Sequence, residues 1–272
     1  MSPVTAAATP RVIWNPADYA ANSAAQLTWA RELMARLRLR GEERLLDVGC
    51  GDGKITAELA RALPRGSIVG LDGSLEMLRF AREHFPAKKF ANLQFVQMDA
   101  RQLQFAEPFD VIFSNATLHW VDDHPAFLRG AAGGLKAGGR LVTSCGGKGN
   151  AQDVFVALRA TMRRKRWRGC FRNLAAPYFF HRPEDYEKWL PRFGFKPELV
   201  RLANKRVHFA GRGGLAAWIR TTWLPYTQRV PVAQREEFIG DVVERFAAKH
   251  PIDGAGNLTV QMVRLEIEAT KT

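Results

Sequence analysis

The apolar positions of the chain alternate between two spacings. From Ala20 to Arg40, residues Leu27, Ala30, Leu33, Met34 and Leu37 recur at the three- and four-residue intervals of a helix face, and Gly41 is a natural stop. A short apolar run, RLLDV, follows and ends in the glycine-rich turn GCGDG. Next, ITAELARAL reads as a helix, SIVGLD as a strand, SLEMLRFAREHF as a helix and LQFVQMD as a strand. The alternation continues through FDVIFSN, a helix over about 125–135, and GRLVTSC. Units of this kind predict an α/β fold, a Rossmann-like and mostly parallel sheet with helices on both faces, whose ligands bind beyond the carboxyl ends of the strands.

After Cys145 the rhythm changes. A helix is predicted over about 151–163, then an irregular basic and aromatic stretch, RRKRWRGCFRNLAAPYFF. PEDYEKWLPRF reads as a helix, PELVRLANKRVHF as one or two strands, GLAAWIRTTW and VAQREEFIGDVVERFAAKH as two helices, and LTVQMVRLEIEA as a closing strand. The last strands are expected to bring the sheet to seven, with a helical lid inserted toward the C-terminus.

Composition narrows the class without changing this picture. A hydrophobic content of 46% over 272 residues suits a globular core. No apolar run reaches membrane-spanning length, and the opening MSPVTAAATPR lacks the pattern of a secretory signal, so a soluble cytoplasmic protein is expected. Cys50, Cys145 and Cys170 have neither zinc-ligand spacing nor a CxxC pair, and read as reduced, buried thiols. The net charge of +13 is concentrated: residues 159–220 carry 16 Lys and Arg against 4 Asp and Glu, an excess of 12. Such a segment can steer an anionic partner, from a small acid to a nucleic acid.

The chemistry lies around Asp47-Val48-Gly49-Cys50-Gly51-Asp52-Gly53. Glycines at 49, 51 and 53 permit a tight turn and a close backbone approach to a ligand. A phosphate loop would need glycine at Val48 and Ser or Thr at Ile55, and a dinucleotide fingerprint would want glycine at Lys54. Carboxylates beside the loop favour a cationic or zwitterionic ligand instead, with Asp52 read as an exposed loop residue. Asp72 ends the next strand, 25 residues after Asp47, where an acid can accept both hydroxyl protons of a ribose. Asp99 ends the third strand and could accept from the exocyclic amine of a base. Three acids at successive strand ends with a glycine turn describe an adenosine pocket without a phosphate clamp.

These residues resemble the class I S-adenosylmethionine-dependent methyltransferases through LLDVGCGDG, GLDGSLEML, MDARQL, FDVIFSNATLHWV and LKAGGRLV. The resemblance implies S-adenosylmethionine as cofactor, S-adenosylhomocysteine as product, and no metal. It implies that Gly49 and Gly51 line the methionine part and that Asp72 holds the ribose. Asp99 and Ala100 would meet the adenine, and Ser114 and Asn115 would border the sulfonium, with Asp47, Gly73 and Met77 as further cofactor contacts. The chain would then comprise an N-terminal cap segment (1–40), a cofactor-binding core (41–150), a basic and aromatic substrate lid with a late strand (151–250) and a final strand (251–272), in a single domain overall.

WNPADYAANSAAQL, SNATLHWVDD and WIRTTWLPY look like the branch of the trans-aconitate and juvenile hormone acid methyltransferases, which esterify small carboxylic acids. In the latter a glutamine of the N-terminal helix and a tryptophan of the fourth-strand motif hold the acceptor carboxylate, and Gln26 and Trp120 match them. An ionised carboxylate needs aim rather than a base, and indole and amide N–H groups supply donors for it. His119 is the alternative, a base for a phenol, alcohol or amine acceptor. In the lid, Arg220 can grip an acid while Trp223 and Tyr226 cover an apolar tail, and Tyr19 can close over the cofactor. The rival acceptors are another small molecule, such as a prenyl compound methylated at carbon, and a nucleic acid held by the basic lid. A non-catalytic cofactor-binding protein is a third reading.

Overall fold

A computed structural model describes residues 12–22 and 24–272; for 21, 22 and 24–26 it describes the backbone alone. The described residues divide into two compact units: a larger one of Asn15–Gln152, Tyr178–Val207 and Gln261–Thr272, and a smaller one of Asp153–Pro177 and His208–Val260 with 12–14.

The larger unit is built on a seven-stranded sheet. Its strands β1 (Arg44–Val48), β2 (Ser67–Asp72), β3 (Leu93–Gln97), β4 (Phe109–Asn115), β5 (Leu135–Gly146), β6 (Phe195–Ala210) and β7 (Asn257–Lys271) lie in the order β3-β2-β1-β4-β5-β7-β6. The first five are parallel, and β7 runs antiparallel to β5 with Arg264 opposite Gly146. The first part of β7 therefore reaches the edge where β1 to β5 end.

Parallel strands buried on both faces read as continuous apolar runs, and Leu45, Leu46 and Val48 of β1 are fully buried. On one face Leu33 and Leu37 of α2 (Ala24–Leu37) and Ala57, Leu59 and Ala60 of α3 (Lys54–Arg61) pack on Leu45, Ile68, Val111 and Phe113. On the other, Phe127 and Leu128 of α5 (His124–Gly134) and Tyr186 and Leu190 of α7 (Pro183–Arg192) cover Leu46, Leu71, Ile112 and Ile267. α4 (Leu75–His84) begins at Ser74, whose hydroxyl accepts from the Met77 N–H.

The helical periodicity before β1 resolves into α1 (Pro16–Asn22) and α2. α2 stops at Leu37 because Arg38 turns to φ 48° and Gly41 to φ 93°. That is four residues before the glycine the sequence marks as the stop.

In the smaller unit α6 (Gln152–Met162), α8 (Gly211–Thr222), α9 (Leu224–Thr227) and α10 (Arg235–Ala247) assemble around Phe238, Val242 and Phe246 of α10. Trp167 is fully buried there, and its indole N–H donates to Asp241 at 2.7 Å. The opposite face of α10 is acidic. Glu236 pairs with Arg220 at 2.5 Å, Asp241 with Arg164 at 2.8 Å, Glu244 with Arg212 at 2.7 Å, and Glu237 with Arg166. Exposed pairs add little stability. Their consequence is electrostatic, because α10 lies outside the basic window 159–220 and neutralises four of its arginines. Cys50 and Cys145 are buried free thiols, whereas Cys170 is only half-buried, since it lies in a short turn, Arg168–Phe171, none of whose residues is buried. Among the described residues no helix is long and apolar enough to cross a membrane.

Candidate active site

The turn after β1 is fixed by backbone chemistry. The N–H groups of Gly49 and Cys50 both donate to the Leu71 carbonyl, at 2.7 and 2.9 Å, so the loop is bound to the end of β2. Gly49 has φ 80°, and a Cβ placed on it would lie 2.0 Å from the Thr117 hydroxyl oxygen. Here the loop touches the turn after β4, and Thr117 Oγ1 donates to the Gly49 carbonyl at 3.2 Å. Gly51, at φ 54°, faces a roomier place, where an added Cβ would meet only Met77 at 3.7 Å and Tyr19 at 3.9 Å. The structure thus brings Tyr19, Met77 and Gly51 together, while Gly73 has open space at its α-carbon.

The acids around this loop differ in environment. Asp47 is 2% exposed beneath it and accepts from the Thr56 hydroxyl at 2.7 Å; burial pushes its carboxyl up to about 7 against that hydrogen bond. Asp52, expected to be exposed, is buried. It receives the Lys54 N–H at 3.2 Å, and its Oδ2 makes no hydrogen bond, with Lys54 Nζ 3.4 Å away. The reason is that Lys54 Nζ also donates to the Ala20 carbonyl of α1, so the loop is covered rather than protruding.

Asp72 accepts the Gly51 N–H on one oxygen at 3.0 Å and the Ser74 N–H on the other at 2.8 Å. Burial holds its pKa above the usual carboxylate value in spite of these donors. A carboxylate has about four acceptor positions, so each oxygen keeps one for a ligand hydroxyl. The position suits a vicinal diol. Asp99 precedes the short turn containing Ala100 and is bound by Arg101 at 2.5 Å, which holds its carboxyl below the ordinary value.

The segment after β4 folds back as a compact turn. Ser114 is buried and donates to the Val48 carbonyl at 2.8 Å, and Ala116 adopts φ 58° while its N–H bonds the Ser144 carbonyl at 2.7 Å. Trp120 stands edge-on to Tyr178 at 4.7 Å between ring centroids, and His119 lies 6.0 Å from both Tyr178 and Phe180. His119 Nδ1 accepts the Gly146 N–H at 3.2 Å, which leaves its proton on Nε2. Burial, with Arg264 nearby, pushes this imidazole down to about 3, so it is neutral at physiological pH.

His124 holds that turn from below. Its Nε2–H donates to the Leu118 carbonyl at 2.8 Å and its Nδ1 accepts from the Tyr186 hydroxyl at 2.5 Å. Burial lowers its pKa to about 4. An unfolded histidine binds a proton near 6.5 that the folded one refuses until about 4, so this contribution to stability is complete above pH 6.5 and is lost as pH falls. In His124→Gln the dependence of unfolding free energy on pH should lessen by one proton, about 1.4 kcal/mol per pH unit between 4.5 and 6.5, in urea titrations. An unchanged slope would contradict a neutral buried His124.

One charged residue of this edge is absent from the expectations drawn from sequence. Arg264 of β7 is 3% exposed, donates from Nη2 to Asn115 Oδ1 at 3.1 Å and to the Ser144 carbonyl at 2.6 Å, and from Nε to the Ser144 hydroxyl at 3.1 Å. Its guanidinium lies 4.8 Å over the Trp29 ring of α2. The signal is present in the strand, where Leu258, Val260, Met262 and Arg264 share one phase of the alternation and an arginine stands in an apolar register. Gln26 belongs to α2, but its side chain lies outside the described residues. Arg220, Trp223 and Tyr226 belong to the smaller unit; Arg220 is paired with Glu236, and the Trp223 ring lies tilted against Phe155 at 4.6 Å and Tyr226 at 5.9 Å between centroids.

Residues 39–190 match the methyltransferase domain family. An uncharacterized methyltransferase of Schizosaccharomyces pombe, C70.08c, is 33% identical over 208 residues, covering 70% of this chain and 74% of that protein. Trans-aconitate 2-methyltransferase of Methylobacterium nodulans is 29% identical over 266 residues, covering 95% of this chain and 98% of its own. Among solved structures, phosphoethanolamine N-methyltransferase 2 of Haemonchus contortus in complex with S-adenosylmethionine superposes with a TM-score of 0.59 at 17% identity, over 94% of this chain and 56% of that one.

Proposed function

Since the chain belongs to the methyltransferase domain family and is a class I S-adenosylmethionine-dependent methyltransferase, we propose that it esterifies a small carboxylic acid. The observation that carries this reading is the state of His119. With Nδ1 engaged by the Gly146 N–H and the ring neutral down to about pH 3, it is a hydrogen-bond donor and a poor base. An alcohol, phenol or ammonium acceptor must lose a proton before it can attack. A carboxylate has none to lose at neutral pH.

The residues fit the cofactor. Asp72 offers one acceptor position from each oxygen to a ribose, Gly51 would leave room for the methionine part while Gly49 lets the loop close on Thr117, Tyr19 and Met77 wall the loop, and the Asp52 oxygen that makes no hydrogen bond, with Lys54 Nζ 3.4 Å away, suits an ammonium group. Asp99 with Ala100 would take the adenine, and Ser114 and Asn115 would border the reacting end. When bound, S-adenosylmethionine supplies a methyl group on a sulfonium sulfur that a carboxylate oxygen can accept with no proton to move.

The part of this chain is to aim that oxygen and to exclude water from it. The indole N–H of Trp120 would be a donor for the carboxylate, in keeping with the trans-aconitate relative's activity. Against a nucleic-acid substrate stands the pairing of Arg164, Arg166, Arg212 and Arg220 with the acids of α10, which leaves less basic surface than the sequence count suggests.

The test is incubation with methyl-labelled cofactor and a panel of mono-, di- and tricarboxylic acids. Label should enter a product and leave it on mild alkaline hydrolysis, whereas alkali-stable label would refute the ester. Trp120→Phe should lower turnover about tenfold or more, the worth of a hydrogen bond to a charged group, with S-adenosylhomocysteine affinity within about threefold of wild type. Equal losses in both would make Trp120 a cofactor residue.

A further inference from the structure

We propose that Arg264 is the anion anchor of the acceptor pocket, a fixed guanidinium that receives one oxygen of the acceptor's carboxylate. The proposal rests on the esterification reading and adds the group that recognises the acid. Its first support is an unbalanced charge. Arg264 is 3% exposed and, among the described residues, forms no ion pair; Glu266, two residues along the same strand, is held by Arg36 at 2.8 Å and Arg201 at 2.9 Å. A buried guanidinium without an anion is costly, and a ligand carboxylate would offset that cost.

The second support is directional. Of the five N–H groups, Nε and the two on Nη2 are engaged by Ser144 and Asn115. The two on Nη1 have no acceptor among the described residues. A carboxylate arriving there is bound through one oxygen, which leaves the other with its lone pairs free to attack. A bidentate grip would bind both oxygens and weaken the nucleophile.

The third support is placement. Arg264 lies opposite the last residue of β5, beyond β4 from the strands that carry the glycine loop and Asp72, and so on the far side of Asn115 from the cofactor acids. Tyr19 links the two sides, since its phenol is raised by burial and by Asp52 and Asp72 and lowered by Arg264. Gln26 precedes Trp29 by three residues in α2, a spacing that puts two helix positions on one face, and Trp29 is the ring on which Arg264 rests.

A carboxylate at Nη1 could come from the acceptor or from the methionine part of the cofactor, and the experiment separates them. Wild type, Arg264→Gln and Arg264→Lys are compared as full chains, with melting temperatures as the folding control. Affinity for S-adenosylhomocysteine is measured by calorimetry, and affinity for trans-aconitate and for dodecanoate is measured in its presence. The proposal expects at least one acid to bind wild type, to weaken about ten- to a hundredfold in Arg264→Gln, and to recover partly in Arg264→Lys, which keeps the charge but not the fork. S-adenosylhomocysteine affinity should stay within about threefold. If cofactor affinity falls and acid affinity does not, the carboxylate is that of methionine and the acceptor assignment is overturned. Acid affinity unchanged in Arg264→Gln, or absent from wild type, also overturns it. Should the acids bind through Arg264 while no alkali-labile product forms, the anchor stands and esterification fails. Ester formation with an unaltered KM in Arg264→Gln would leave esterification standing and remove the anchor.

Discussion

Gly49→Ala is expected to abolish cofactor binding, with S-adenosylhomocysteine affinity falling more than about a hundredfold in calorimetry. Two separate strains act at this position. The backbone sits at φ 80°, where an L-residue is disfavoured by about 1–2 kcal/mol. The new methyl would also lie 2.0 Å from Thr117 Oγ1 and 2.2 Å from its Cγ2. Threonine cannot swing aside cheaply, because its branched Cβ restricts it and its hydroxyl is bound to the carbonyls of Gly49 and Asn115, each at 3.2 Å. Either the glycine loop or the turn carrying His119 and Trp120 must move. Adding Thr117→Ala to Gly49→Ala should recover part of the affinity by removing the collision and leaving the backbone strain. Normal binding by the single variant would show that the close approach of loop and turn is dispensable.

The second large effect is expected at Asp72. Asp72→Ala removes the acceptor of the Gly51 and Ser74 N–H groups and both remaining positions for ribose hydroxyls. Two charge-assisted hydrogen bonds to the ligand at about 1.5–3 kcal/mol each correspond to a loss of roughly two to four orders of magnitude in cofactor affinity. The unliganded fold should respond differently. Burial already disfavours the ionised Asp72, so its removal relieves desolvation while it frees two backbone donors, and the melting temperature should change little. Unaltered cofactor affinity would remove the ribose role; a collapse of melting temperature with the affinity would make Asp72 structural.

The positive φ of Gly49 and the seat of Asp72 beside the loop were legible in the sequence because they depend on local chemistry. A glycine at a strand end announces a backbone no other residue adopts easily, and an acid at the next strand end lies beside it by the geometry of a parallel sheet. Asp52 was misread as exposed because its covering comes from α1, more than thirty residues earlier in the chain, through the bond from Lys54 Nζ to Ala20. The basic segment looked unopposed because its partners, Glu236, Glu237, Asp241 and Glu244, follow it on a separate helix. Nothing local in SNATLHWVDD reveals that His119 is neutral; that depends on the Gly146 N–H and on burial among Tyr178 and Phe180. Arg264 did leave a trace, an arginine in the apolar phase of a strand, but without a partner in view the pattern gives no direction for its charge.

The antiparallel course of β7 also separates Arg264, the proposed anchor, from the glycine loop in time. The cofactor cradle closes through short loops, as in the Gly51 to Asp72 bond across 21 residues, whereas Arg264 reaches Asn115 across 149 and Glu266 reaches Arg36 across 230. Short loops close at lower entropic cost, and distant pairings are the slow ones. During synthesis Asp72 and the glycine turn emerge together, while the Arg264 guanidinium leaves the ribosome more than a hundred residues later. On the proposed reading, a nascent chain would thus hold the glycine loop and Asp72 well before it held the group that receives the acid.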